Sequence, residues 1–288
     1  MTGLIGQTPL LLCGRLMKKE NSVARILAKL EYLNPTGSLA DRMAKAVIDD
    51  GIRQGRLWAD TVIIQATWGE MGIGIAGQAA LHGFSVIVVM PDNVSQEYIT
   101  IIRAYGAQIV FTEAAKGIKG AVEKARDISR VLPGSFLSFQ CNFEDRNLNP
   151  QDCVGLEIWE DTGGQVDLVV GAIETGGSLW EAGEFLKSRR RDIQIVGVKL
   201  KGEPGNSVGA HDEEWLVDTD KAAQRIRMVG QTEGILVGKL SGAVLEAAVQ
   251  ISRREENRDK MVVAILPDSA DRYYSTNMFI DTYSLRPR

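Results

Sequence analysis

The sequence is poor in the residues that staple folds together. Its three cysteines, Cys13, Cys141 and Cys153, are odd in number, far apart and contain no CxxC pair. That argues against a disulfide framework or a zinc site and suits a reducing compartment. Two histidines, His82 and His211, are too few for a histidine-based metal centre. No apolar run approaches the roughly 20 residues of a membrane span, and the opening residues carry no leader pattern. A cytoplasmic location is the resulting expectation. An excess of one charge is missing too: 33 Lys and Arg stand against 37 Asp and Glu. The one compact basic run, Ser188-Arg189-Arg190-Arg191, reads as a solvated helix end before a strand. Neither nucleic acid nor membrane is an expected partner.

What is present is alternation. Apolar runs at 24–30, 61–66, 85–91 and 108–111 read as strands. Between and after them, 72–81, 96–105 and 114–132 read as helices. The pattern resumes with a helix over 152–163, a strand over 166–172, a helix over 178–188 and a strand over 193–198. The 201–232 region reads as irregular and polar, before a helix over 242–254 and a strand over 261–266. Strands separated by helices of this length predict βαβ units and parallel sheets covered on both faces. The polar stretch Phe143 to Pro150 is the best boundary. It predicts two α/β domains, with ligand loops at the carboxyl ends of strands and a cleft between the domains.

Four loops open helices in this scheme. In Asn34-Pro35-Thr36-Gly37-Ser38-Leu39-Ala40-Asp41-Arg42, turn chemistry leads to Ser38, a good N-cap. The others are Ala66-Thr67-Trp68-Gly69-Glu70-Met71-Gly72, Glu174-Thr175-Gly176-Gly177-Ser178 and Gly238-Lys239-Leu240-Ser241-Gly242. Each places free backbone N–H groups at a helix start, where an anion fits. Each also reads as plain turn geometry.

Taken together with Ile5-Gly6-Gln7-Thr8-Pro9-Leu10, Met90 to Glu97, Arg103 to Ala107, Gly155 to Trp159 and Asp271 to Thr276, these loops resemble the cysteine synthases over nearly the whole chain. The serine-utilising B type looks closest. The resemblance implies an α/β fold: the two-domain tryptophan-synthase-β-like architecture of fold type II, with parallel-type twisted sheets flanked by helices, a smaller domain over 37–145, a larger one over 1–36 plus 146–288, and an interdomain cleft. It also implies pyridoxal phosphate chemistry, a homodimer, and association with the C-terminal peptide of serine acetyltransferase.

The departures from the family fall at the chemistry. The family's Schiff-base lysine aligns with Ala40, which has no amine, so no covalent cofactor is expected and no catalytic residue is assigned. The substrate loop, Thr67 to Gly72 with Gln140, carries Trp68 and Glu70 where the family has serine and asparagine, and Met71 in place of threonine. The phosphate loop keeps Thr175, Gly176, Gly177 and Ser178 but begins with Glu174 instead of glycine. The hydroxyl facing the pyridine nitrogen aligns with Leu240, or with Ser241 one residue on. The resemblance therefore implies a homologue that has lost catalysis and binds instead a small carboxylate, an active paralogue or the acetyltransferase peptide. The alternatives are a synthase whose lysine was mutated and a repurposed enzyme. The repurposed enzyme would use Glu70, Glu174 or Asp268 as acid or base, each of which also reads as a solvated loop carboxylate. Lys239 is the one lysine placed near the cleft. Trp68 reads either as filling the pyridine-ring space or as an ordinary partly buried aromatic. Cys141 and Cys153 read as small buried hydrophobes, His82 as a dipole partner at a helix end, and Asp41-Arg42 as a structural ion pair or cap.

Overall fold

The structure, a computed structural model, describes residues 2–140, 153–173, 177–202 and 211–279. The boundary stretch at 143–150 and Cys141 lie outside the described residues. The chain divides into two compact units, Met1–Ile5 with Asn34–Asn149 and Gly6–Leu33 with Pro150–Arg288.

In the first unit, helix α2 (Ala40–Arg53) is followed by β3 (Val62–Ala66), α3 (Glu70–His82), β4 (Ser85–Pro91) and α4 (Gln96–Ala104). Then come β5 (Gln108–Thr112), α5 (Gly117–Val131) and β6 (Phe136–Leu137). The strands form one parallel sheet in the order β5-β4-β3-β6. Period-two alternation sends Ile63, Val88 and Met90 to the face packed by Ala44, Val47 and Ile48 of α2 and Ile73 of α3. It sends Ile64 and Val89 to the opposite face, against Ala121 and Ala125 of α5. Both faces are covered, which is why the inner strands β3 and β4 are mostly apolar.

The second unit opens with β1 (Leu10–Leu12), α1 (Gly14–Lys19) and β2 (Arg25–Lys29). After the other unit it continues through α6 (Val154–Asp161), β7 (Leu168–Ala172), α7 (Gly177–Arg189) and β8 (Gln194–Leu200). It closes with β9 (Glu213–Val217), α8 (Thr219–Glu233), α9 (Lys239–Ser252) and β10 (Met261–Ile265). The sheet order is β1-β2-β10-β7-β8-β9, parallel except for β1 on β2. Helix α9 lies in the core with Ala243, Val244, Ala247 and Ile251 against Ile26, Val170 and Ala264 of the sheet.

Three sequence expectations need correction. The region over 201–232 is not irregular throughout: it holds β9 and most of α8. Its polarity reflects an edge strand, and a helix that buries only Ala222, Arg225, Ile226 and Val229. Helix α2 is capped in geometry by Leu39 rather than Ser38, although the Ser38 hydroxyl does accept the Ala40 N–H at 3.2 Å. Helices α3 and α9 begin earlier than their apolar faces do, at Glu70 and Lys239.

Candidate functional site

The 34–41 loop keeps its scaffold. Gly37, at φ 94°, closes a turn in which its N–H donates to the Asn34 carbonyl at 2.8 Å. Asp41, fully buried in the first turn of α2, reaches back to accept from the Thr36 amide at 2.7 Å and from the Thr36 hydroxyl. Asp41 is therefore the brace of the loop. Ala40 stands half-buried at the first position of α2. Its carbonyl oxygen lies 3.2 Å from where a Cβ on Gly74 of α3 would stand. The close packing of α2 on α3 thus brings position 40 beside the helix that the 67–72 loop opens.

That second loop is fixed from below. The Thr67 amide donates to the Val89 carbonyl at 3.1 Å, and the Thr67 hydroxyl accepts the Gly69 N–H at 3.0 Å. A Cβ at Gly69 would meet the Tyr98 ring at 2.5 Å, and one at Gly72 would meet the Thr67 methyl at 2.8 Å, so both positions need glycine for space. Glu70 is the first residue of α3, where the helix dipole favours a carboxylate. The Tyr98 hydroxyl donates to its Oε1 at 3.0 Å. Met71 packs partly buried against the core. Trp68 is 38% exposed. One edge of its indole leans towards Gly117, the first residue of α5, where a Cβ would lie 3.8 Å from Trp68 Cζ2.

In the second unit, Glu174, Thr175 and Gly176 lie outside the described residues, as does the Gln140 side chain in the first. Gly177 and Ser178 open α7. At the start of α9, Leu240 is buried in the apolar core. The Ser241 hydroxyl is wholly buried and donates to Asp268 Oδ1 at 2.7 Å. Asp268 is no solvated loop carboxylate, as the sequence led us to expect. It is buried and caps α9 from 27 residues downstream, accepting the Leu240 and Ser241 amides at 3.1 and 2.8 Å and the Tyr273 hydroxyl at 2.9 Å. Burial raises its pKa, against the lowering effect of those donors. Gly238 makes room: a Cβ there would lie 2.3 Å from Asp268 Oδ2. Lys239 is the first residue of α9.

The remaining singled-out residues are structural. Cys153 is buried, and burial pushes the Cys13 thiol up to about 12. His82 ends α3 and stacks on Phe84 at 6.0 Å. Arg190 of the basic run reaches Asp167 at 3.0 Å. Sequence reasoning did not assign Tyr98 or Tyr273 any part in these loops, because each meets its partner only through tertiary packing. Among the described residues no group of His, Cys, Asp or Glu is placed to hold a metal ion, and no helix is long and apolar enough to cross a membrane.

The family model described as "Pyridoxal-phosphate dependent enzyme" matches residues 1–268. A probable cysteine synthase of Bacillus subtilis is 34% identical, over 96% of this chain and 96% of its own length. O-acetyl serine sulfhydrylase isoform 3 of Entamoeba histolytica superposes with a TM-score of 0.85 at 32% identity, covering 97% of this chain and 91% of that one. A lysine-to-alanine mutant of O-ureido-L-serine synthase, solved with O-ureido-L-serine bound, superposes with a TM-score of 0.86 at 28% identity, covering 98% and 94%.

Proposed function

The chain belongs to the family of pyridoxal-phosphate dependent enzymes and is cysteine-synthase-like, and from that premise we propose that it is a member that has lost cofactor chemistry and works by binding. The observation that carries this reading is Ala40. By the family resemblance it stands where the Schiff-base lysine would be, in a loop braced by Asp41 on Thr36. An alanine methyl can neither form an imine nor take a proton.

Two described residues of the second unit support the same reading. Leu240 offers no polar atom, and the Ser241 hydroxyl is buried and committed to Asp268. These residues do not fit a covalently held cofactor. The expected role is to hold a ligand or partner within sulfur metabolism: a second copy of the chain, an active paralogue, the serine acetyltransferase C-terminal peptide, or a small carboxylate at Thr175 to Ser178. The O-ureido-L-serine-bound lysine-to-alanine variant is a precedent for a ligand retained in this fold without a lysine.

The test is spectroscopic. Purified protein mixed with excess pyridoxal phosphate and then dialysed is expected to keep no absorbance band at the visible edge. A retained band, with cofactor mass bound to a lysine, overturns the reading.

A further inference from the structure

Helix α3 is buried on every side from Gly72 to Ala79. All of those residues are glycine, alanine or isoleucine except Gln78. Its side chain is wholly shielded from solvent, and neither the amide oxygen nor the amide nitrogen has a hydrogen-bond partner in the protein. Among the described residues no other side chain has two buried polar atoms in that condition. The surroundings are apolar. Ala44, Val47 and Ile48 of α2 and Ile75 and Ala79 of α3 share one core cluster, and none has a polar side-chain atom.

Gln78 stands one turn beyond Gly74, on the same side of α3. That side meets α2: a Cβ on Gly74 would lie 3.1 Å from Ala44 Cβ and 3.2 Å from the Ala40 carbonyl oxygen. A helical side chain leans over the turn before its own Cα, so the Gln78 amide is carried back toward this contact. A dry, unpaired amide is costly to bury, and nearly every buried polar atom in a folded protein is paired with protein or with ordered water. The partner of this amide must both donate and accept. Packing this close admits nothing larger than water. Helix carbonyls complete the bonding of such a water, because each keeps a second lone pair after its intrahelical bond.

We infer that Gln78 binds ordered water in the contact between α2 and α3. Water donates to Gln78 Oε1, accepts from Gln78 Nε2 and bridges the amide to backbone carbonyls of the two helices. The first turn of α2, which carries position 40, then packs on a hydrated face of α3. This site goes beyond the loss of cofactor chemistry and does not rest on it.

Two readings on the unmodified full chain decide the matter. A crystal structure at a resolution that shows ordered water is expected to place density within about 3 Å of the Gln78 amide atoms. In solution, the Gln78 side-chain NH2 protons are expected to cross-relax with long-lived water. Gln78→Met keeps the length of the side chain and removes its demand for hydrogen bonds. Water relaxation dispersion on this variant is expected to count at least one fewer long-lived molecule, with a urea midpoint no higher than that of the unmodified protein. Crystallographic density that is absent at Gln78, or an amide that shows no cross-relaxation with water, overturns the inference. So does a Gln78→Met chain whose midpoint rises while its water count stays the same, the mark of a dry amide relieved of its burial. If that variant does not fold, the two readings on the unmodified chain stand alone. A failure of the spectroscopic test with pyridoxal phosphate strikes the earlier reading and not this one.

Discussion

At Asp268, burial and hydrogen bonding pull in opposite directions. Desolvation favours the protonated acid, whereas the Ser241 hydroxyl and amide, the Tyr273 hydroxyl and the Leu240 amide all favour the carboxylate. Burial wins, and the folded-state pKa stands above the unfolded one. The folded chain therefore binds more protons than the unfolded chain between the unfolded value, about 4, and the raised one. Within that window stability falls as pH rises, and above it the ionised form carries the full cost. Asp268→Asn is expected to flatten this slope, read from urea midpoints between about pH 4 and about pH 7. Asp268→Ala removes the carboxylate that accepts the two α9 amides and the Ser241 and Tyr273 hydroxyls, and is expected to lose about 2–4 kcal/mol of stability by the same measurement. None of this was legible locally. Leu266-Pro267-Asp268 reads as a strand running into an exposed loop, and the burial comes from a helix whose Ser241 lies 27 residues earlier in the chain.

A single buried lysine ties elements of the second unit together. Lys29, at the end of β2, is wholly buried. It donates to the Thr8 carbonyl at 2.6 Å and to Asp161 Oδ2 at 2.8 Å, and stands 2.8 Å from Glu157 Oε2. Glu157 of α6 also accepts the Gln7 and Thr8 amides, and the Thr8 hydroxyl donates to Glu31 at 2.6 Å. The segment leading into β1 is thus stapled to β2 and α6 by charge-assisted bonds inside the protein. Lys29→Met keeps the length of the side chain and removes the ammonium, leaving Glu157 buried without its counter-charge. A loss of about 3–5 kcal/mol in urea unfolding is expected, together with increased proteolysis ahead of β1. At this scale most of the fold was readable. Runs such as 61–66 and 85–91 are apolar at most positions because both faces of their sheet are covered. Helix α8 was missed although Ala222, Arg225, Ile226 and Val229 follow helical spacing. An arginine in that stripe breaks the apolar signal, and only tertiary structure reveals its partners, Glu20 at 3.0 Å and Glu246 at 2.7 Å.

Across the whole molecule, the departures that the cysteine-synthase resemblance marks fall in both units. Ala40, Trp68 and Glu70 lie in the first; Glu174 and Leu240 lie in the second. Sequence alone marked these positions, because a family pattern identifies which residue types are out of place. It did not show that Ser241 is already bonded or that Glu70 is held by Tyr98, since both depend on packing between elements distant in the chain. Restoring a lysine tests two histories of position 40. If alanine there were an isolated change in an otherwise competent synthase, Ala40→Lys would by itself restore cofactor binding and cysteine formation from O-acetylserine and sulfide. If the loss is spread over the chain, Trp68, Glu70 and Leu240 stay unsuited to the cofactor after the amine is restored. Ala40→Lys is then expected to form at most a weak imine with pyridoxal phosphate and to produce no measurable cysteine. Adding Trp68→Ser, Glu70→Asn and Leu240→Ser to the same chain should strengthen cofactor retention well beyond the single change, because each removes an obstacle the amine cannot overcome. Full sulfhydrylase activity from Ala40→Lys alone would return this chain to the working enzymes of its family.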